Sequence, residues 1–239
     1  MAGVSAAGGR LPLRTAACTV PTTVRAKFSR SPRIGPFLAK IDIERLREIQ
    51  QRYAGSTDRY AKYADIEHWL KINMPRIQNL KLDRSPPRQI LDLGCGAGFF
   101  LFLAKQFRHA CVGLDVGDFP LSNELIELFD LERVTWKIGA FQPLPDFGRK
   151  FDLITAFSAA FNRSEDESRG WNPDEWKFFL DDLDRHLNPG GEILLEINSG
   201  KDKRYFPAEV RDFFLKRGAR VEGERVYLKP GGTTSVSSS

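Results

Sequence analysis

The sequence predicts an open α/β sheet, doubly wound and mainly parallel, with an antiparallel final strand and helices placed ahead of it. Three observations carry that prediction. Short apolar runs alternate with longer segments of helical period, the pattern of a parallel sheet covered on both faces. The run Ile90-Leu91-Asp92-Leu93 leads straight into Gly94-Cys95-Gly96-Ala97-Gly98 and then into a second apolar run from Phe99 to Ala104, which reads as strand, tight turn and helix. Trp176, Phe179, Leu180, Leu183 and Leu187 recur at helical spacing with acidic residues off the stripe, so that segment packs its apolar face on a sheet.

Taken in order, Ile43, Leu46, Ile49 and Tyr53 fall on one helix face. Gly55-Ser56-Thr57-Asp58 breaks that helix and is expected to cap the next, over about residues 59–77, with Tyr60, Tyr63, Ile66, Trp69 and Leu70 to one side. The periodicities then predict strands at 88–93, 110–115, 134–139, 151–157 and 191–197. They predict helices at 98–108, 122–130, 173–186 and 207–217. Gly223 sits between two short runs and suits a tight hairpin in 219–229.

The glycine stretch is the ligand corner of such a sheet. Glycine reaches positive φ without strain and lets backbone approach a ligand with no Cβ in the way. A dinucleotide loop needs G-x-G-x-x-G, whereas here the third glycine comes one residue early. A second strand, Cys111-Val112-Gly113-Leu114-Asp115, ends in a carboxylate 17 residues after Gly98. Such a carboxylate can accept hydrogen bonds from ribose hydroxyls.

The quoted motifs ILDLGCGAG (90–98), GLD (113–115), PLP (143–145), FDLI (151–154) and LNPGG (187–191) occur in one order over residues 88–229. Together they resemble the class I S-adenosylmethionine-dependent methyltransferases of the LDLGCGxG type, on a Rossmann-like sheet. The W-x-x-x-EW-x-FFLDDL helix from Trp171 to Leu183 is similar to that of uncharacterised bacterial members. The resemblance implies S-adenosylmethionine as cofactor, with Asp92, Gly94, Cys95, Gly96, Ala97 and Gly98 around its amino-acid portion. Asp92 would bond loop amides or the ammonium. Asp115 would take the ribose hydroxyls and Val116 would pack near the adenine. Where the family often has G-D-A, this chain has Gly139-Ala140-Phe141. Ala140 cannot accept from the adenine amino group, and Phe141 is expected to cover the ring instead. Phe157, near the end of the fourth strand, is expected beside the cofactor.

For the acceptor, the expected contacts are Tyr60 and Tyr63 from the leading helices. Asn162, Arg163 and Trp171 join them from the long polar loop after the fourth strand, with Asn198-Ser199 as a further rim. The Asn/Asp-Pro-Pro-aromatic corner of amine-directed base and amide methyltransferases is missing after that strand. His68, His109 and His186 are scattered, so no general base announces itself and no metal site is expected. Cys95 reads as a small packed residue rather than a reactive thiol.

Composition bounds the rest. The 239 residues suffice for one domain with appendages and are 41% hydrophobic, ample for a core. The longest apolar run is far below the roughly 20 residues a bilayer span needs. Three cysteines (Cys18, Cys95 and Cys111) without paired spacing point to a reducing compartment. The net charge of +5 belongs to the first 40 residues, which hold seven basic and no acidic side chains. The remainder has 29 basic against 31 acidic residues, so no nucleic-acid partner is expected of the body.

The expected organisation is a disordered basic leader over 1–36, a helical cap over 37–82, the cofactor-binding domain over 83–230 and a flexible tail over 231–239. The expected setting is cytoplasmic, or an organelle if the leader is a transit peptide. The expected function is methyl transfer to a small-molecule acceptor at oxygen, nitrogen or carbon. The alternatives are a catalytically silent methyltransferase-like binding domain and an NAD-dependent oxidoreductase.

Overall fold

The computed structural model describes residues 33–163, 169–198 and 205–229. Residues 1–32 of the leader expected over 1–36, loop residues 164–168, Ser199 and the polar tail lie outside the described residues, whereas Ile34 is buried and Gly35 and Pro36 belong to a helix. Seven strands form one sheet in the order β3-β2-β1-β4-β5-β7-β6. These are β1 (Gln89–Leu93), β2 (Ala110–Asp115), β3 (Glu132–Thr135), β4 (Phe151–Ala159), β5 (Leu187–Ile197), β6 (Arg220–Glu222) and β7 (Arg225–Leu228). Every pairing from β3 through β5 is parallel, and β7 runs antiparallel to both β5 and β6.

Helices close both faces. α1 (Gly35–Leu38), α2 (Ile43–Tyr53), α3 (Ile66–Asn79), α4 (Phe99–Gln106) and α5 (Pro120–Leu128) come before β3, and α6 (Pro173–Arg185) and α7 (Ala208–Lys216) follow β4 and β5. One core layer gathers Ile49, Leu70, Ile77, Leu101 and Leu125 around β1. The other gathers Trp171, Trp176, Phe179 and Phe214 across β4 and β5. Phe99 to Ala104 are all buried, because α4 lies between the sheet and α3 and has no solvent face. No helix among the described residues is long and apolar enough to cross a membrane.

The start of α6 is fixed locally. Asn172 Oδ1 accepts from the amides of Asp174 and Glu175, at 2.9 and 3.0 Å. Glu175 Oε2 reaches back to the Asn172 amide at 2.7 Å, which completes a capping box with Pro173 in the first turn.

Several elements differ from the sequence expectation: β5 opens at Leu187 rather than 191, taking that residue off the helical stripe, and α5 spans Pro120–Leu128 rather than 122–130. The helix expected over 59–77 is split. Ala61–Ala64 form a short 3-10 turn, and α3 begins only after Asp65, whose Oδ1 accepts from the His68 amide at 3.1 Å. The cap is therefore Asp65, while Asp58 turns onto the Tyr60 amide. The third strand lies at 132–135 rather than 134–139. Its ladder ends at Asp115↔Thr135, where β2 stops, so Trp136–Gly139 have no strand to pair with beyond a single amide bond from Trp136 to Asp115. The Gly223 hairpin joins β6 and β7, with φ +59° at the glycine.

Two interior positions set testable limits. Gly113 on β2 has no room for a side chain. A Cβ there would stand 2.5 Å from Cys95 Sγ and 3.0 Å from Leu101 Cδ1. Gly113→Ala is therefore expected to cost about 1–3 kcal/mol in urea unfolding, and adding Cys95→Ala should recover part of the loss. If the two substitutions simply add, this packing account fails. The second position is Asp92, buried in β1 with Thr155 Oγ1 donating to its Oδ1 at 2.7 Å. Burial pushes its carboxyl up to about 7, against the lowering pull of the Thr155 hydroxyl and of Arg76. A carboxyl raised in the folded state loses stability as pH climbs from about 4 to about 7. Asp92→Asn keeps an acceptor for Thr155 and should stabilise the protein by about 2–4 kcal/mol at pH 8.5, with little gain at pH 4. Equal gains at both pH values would contradict the assignment.

Candidate functional site

The corner at the end of β1 is built from backbone. The amides of Gly94 and Cys95 both donate to Leu114 O, at 2.7 and 3.2 Å, which folds the loop across the tip of β2. Asp115 then holds the loop from the other side. Its Oδ2 accepts from the Gly96 amide at 2.8 Å and its Oδ1 from the Val116 amide at 2.8 Å. The glycines have separate duties. Gly96, at φ +54°, has open space where a Cβ would stand. Gly98, at φ +75°, opens α4, and a Cβ there would meet Leu131 and Ile126 within 2.7 Å. Gly98 therefore serves packing, and Gly96 serves whatever occupies the adjoining space.

That space is a cavity of about 940 Å³ at the C-terminal ends of β1, β2 and β4. Gly94, Gly96, Asp115, Val116 and Ala140 line it, and Tyr60 and Tyr63 reach it from the leading segment. Tyr60 packs at a tilt against Phe119, and Tyr63 packs against Trp69 and Phe99. Burial raises the Tyr63 phenol above its usual value. Two polar atoms at the wall are buried without a partner among the described residues: Ser122 Oγ and Trp136 Nε1. An adenosyl group fits this wall, since a purine and ribose supply acceptors and hydroxyl donors for orphaned groups of this kind. The Asp115 oxygens retain free lone pairs beyond their amide bonds, so the carboxylate can hold the loop and take ribose hydroxyls together.

Other sequence-designated residues stand elsewhere. Asp92 bonds Thr155 rather than loop amides, because it lies inside the strand, one residue short of the turn. Cys95 turns its sulfur toward Gly113, and burial pushes its thiol well above the ordinary range. Ala97 is buried under the turn. Phe141 does not cover the cavity. It sits at φ +55° in a tight turn closed by the Gln142 amide on Gly139 O, 56% exposed, with its ring edge-on to Phe178. The turn sends Ala140 and Gln142 inward and Phe141 outward.

Phe157 also lies off the cavity wall. Its ring packs on Phe100, and the Arg76 guanidinium covers it at 4.4 Å. Trp171 is core, 1% exposed, in the aromatic cluster with Trp176 and Phe179. Asn162 is buried, and its carbonyl accepts from the Trp171 amide at 2.9 Å, closing the neck of the loop beside an Arg163↔Gly170 bridge. Of that loop's expected contacts, Arg163 lines the cavity.

The sequence reading missed several wall residues. Trp136, Lys137 and Gln142 reach the cavity because β3 ends early. Arg169 and Glu175 reach it as a bidentate pair, with contacts of 2.6 and 2.9 Å. That bond, set against some burial, holds the Glu175 carboxyl below its usual range. The Asn172-Pro173-Asp174-Glu175 capping pattern was the available signal for Glu175. Ser158, also on the wall, gives no sign in the sequence.

Residues 90–191 match the family model described as a methyltransferase domain. Among curated proteins, one from Campylobacter hominis named tRNA U34 carboxymethyltransferase is 30% identical over 111 residues, 46% of this chain and 35% of that protein. One of the same name from Idiomarina loihiensis is 24% identical over 187 residues, 73% of this chain and 54% of that protein. The chain thus spans about a third to a half of the curated relatives it matches. Among solved structures, DesVI of Streptomyces venezuelae aligns with a TM-score of 0.47 at 15% identity, over 78% of this chain and 97% of that one. The glycine corner and the strand order agree with the family match, and residues 90–191 are similar to a methyltransferase domain.

Proposed function

We propose that the chain transfers a methyl group from S-adenosylmethionine to a small-molecule acceptor. The observation that carries this reading is the corner itself: Gly96 with open space in place of a side chain, facing a cavity that also holds Asp115, Val116 and Ala140. When bound, the sulfonium donor supplies an electrophilic methyl carbon, so no residue need activate it. The protein's share is to hold donor and acceptor in line and to keep water out. Asp115 and the Gly94–Gly98 loop anchor the donor. Tyr60 and Tyr63 roof the cavity from residues 37–82, which we take as a cap on the 83–230 domain. The free thiols of Cys95 and Cys111 agree with a reducing, cytoplasmic setting.

A small acceptor agrees with the body's near balance of charge, 29 basic against 31 acidic residues beyond position 40. A second reading, group transfer to RNA, draws support from the relatives' name, tRNA U34 carboxymethyltransferase, which specifies a carboxymethyl rather than a methyl group, and from Lys137 on the cavity wall. Labelled S-adenosylmethionine offered with a metabolite extract and, separately, with total tRNA distinguishes the two. Label in the metabolite fraction is the expected outcome, and label confined to tRNA would replace the first reading with the second.

Binding is tested apart from the acceptor. Titration calorimetry with S-adenosylhomocysteine should give binding for the wild type and none for Gly96→Arg, whose side chain fills the open space. Asp115→Ala should bind at least tenfold more weakly while retaining its circular dichroism spectrum. An Asp115→Ala protein that binds as tightly as the wild type would remove Asp115 from the site.

A further inference from the structure

Three strands and one leading helix meet around Ser158, which lies on the cavity wall. Arg76 of α3 reaches over the sheet edge and places Nη2 2.7 Å from Glu196 Oε1 on β5 and 3.1 Å from Ser158 Oγ on β4. Ser158 Oγ is itself 3.2 Å from Glu196 Oε1, so the three groups close a ring. Glu196 Oε2 takes Arg225 Nε of β7 at 3.1 Å. Burial raises the Glu196 carboxyl, but Arg76 and Arg225 outweigh it and hold the group below its usual range, hence ionised.

Ser158 is unusual in three ways. It lines the cavity and is exposed to it. It stands at φ +53°, a left-handed backbone that a serine adopts at a cost. It also lies where the β4–β5 register shifts between Phe157 and Ala159. Its carbonyl is tied by Asn198 Nδ2 at 2.6 Å, which helps hold the bulge. A bulge at a strand end re-aims a side chain, and here it aims a hydroxyl.

The hydroxyl's hydrogen-bonding capacity is then countable. An ionised carboxylate only accepts, so the Ser158 proton points to Glu196. Arg76 only donates, so it occupies one lone pair of Oγ. One lone pair remains, and Ser158 is on the cavity wall. We propose that Ser158 contacts the methyl acceptor, accepting a hydrogen bond from an N–H or O–H on the atom to be methylated, so that the substrate class is an amine or a hydroxyl compound rather than a carbon nucleophile. Arg76 and Glu196 are positioning residues. They fix the hydroxyl's rotation, so its free lone pair meets the acceptor in one orientation. The proposal rests on the methyltransferase reading above and deepens it.

Ser158→Gly tests it. Glycine accepts the left-handed backbone, so the melting temperature should hold or rise. S-adenosylhomocysteine affinity by calorimetry should stay within about twofold. Transfer of label from S-adenosylmethionine into the metabolite extract or tRNA, whichever the wild type labels, should fall at least tenfold at saturating donor. Ser158→Asn, which tolerates the same backbone and offers an accepting oxygen, should recover part of that transfer, and nuclear magnetic resonance of the product should place the methyl on nitrogen or oxygen. Transfer by Ser158→Gly within about twofold of wild type would overturn the proposal, as would a carbon-methylated product. A tenfold loss of S-adenosylhomocysteine affinity would place Ser158 on the donor instead and also overturn it. These failures are separable from that of the parent reading, which fails if the wild type labels neither pool.

Discussion

The carboxylate of Asp115 is the constraint on which the glycine corner depends. It is a single side chain at the tip of β2, yet it fastens the Gly96 amide of one loop and the Val116 amide of the next. Charge-assisted bonds of this kind are shorter and stronger than neutral ones, and two of them to backbone leave the corner little freedom. Around it the design is consistent. Gly113 is bare so that Cys95 can sit against β2, Gly98 is bare so that α5 can close in, and Gly96 is bare on the side that faces the cavity. Three glycines with three different neighbours, two in the loop and one on β2, let loop, strand and helix close on one another.

Much of the fold was legible because it is governed by local rules. Burial on both faces makes β1 and β4 apolar runs, and α6 declares itself through its stripe and its cap. What failed to show depends on where chains stop pairing. β3 ends at Thr135 only because β2 ends at Asp115, a fact about two strands that neither sequence contains alone. That early end brings Trp136, Lys137 and Gln142 to the wall.

The site followed the same division. Gly94, Gly96, Asp115, Val116, Ala140, Tyr60, Tyr63 and Arg163 could be placed from motif and position, and they line the cavity. Phe141, Phe157 and Trp171 could not, because an aromatic in a loop or strand end carries no mark of which way it turns. A tight turn sends Phe141 outward, and the core claims Trp171. Ser158 is the harder case. Its importance comes from a register shift and from partners 82 and 38 residues away, which no local pattern announces.

The ring that Arg76 closes with Glu196 spans 120 residues of chain. Contacts of such separation form late, after the loop-closure entropy of everything between them has been met. On a ribosome that makes the chain from its N-terminus, the residues of the glycine corner near Gly96 emerge before those of β5 and β7. The order of synthesis therefore separates the two ends of that ring in time. Arg76 is made well before Glu196, and the ring closes only once β5 is in place.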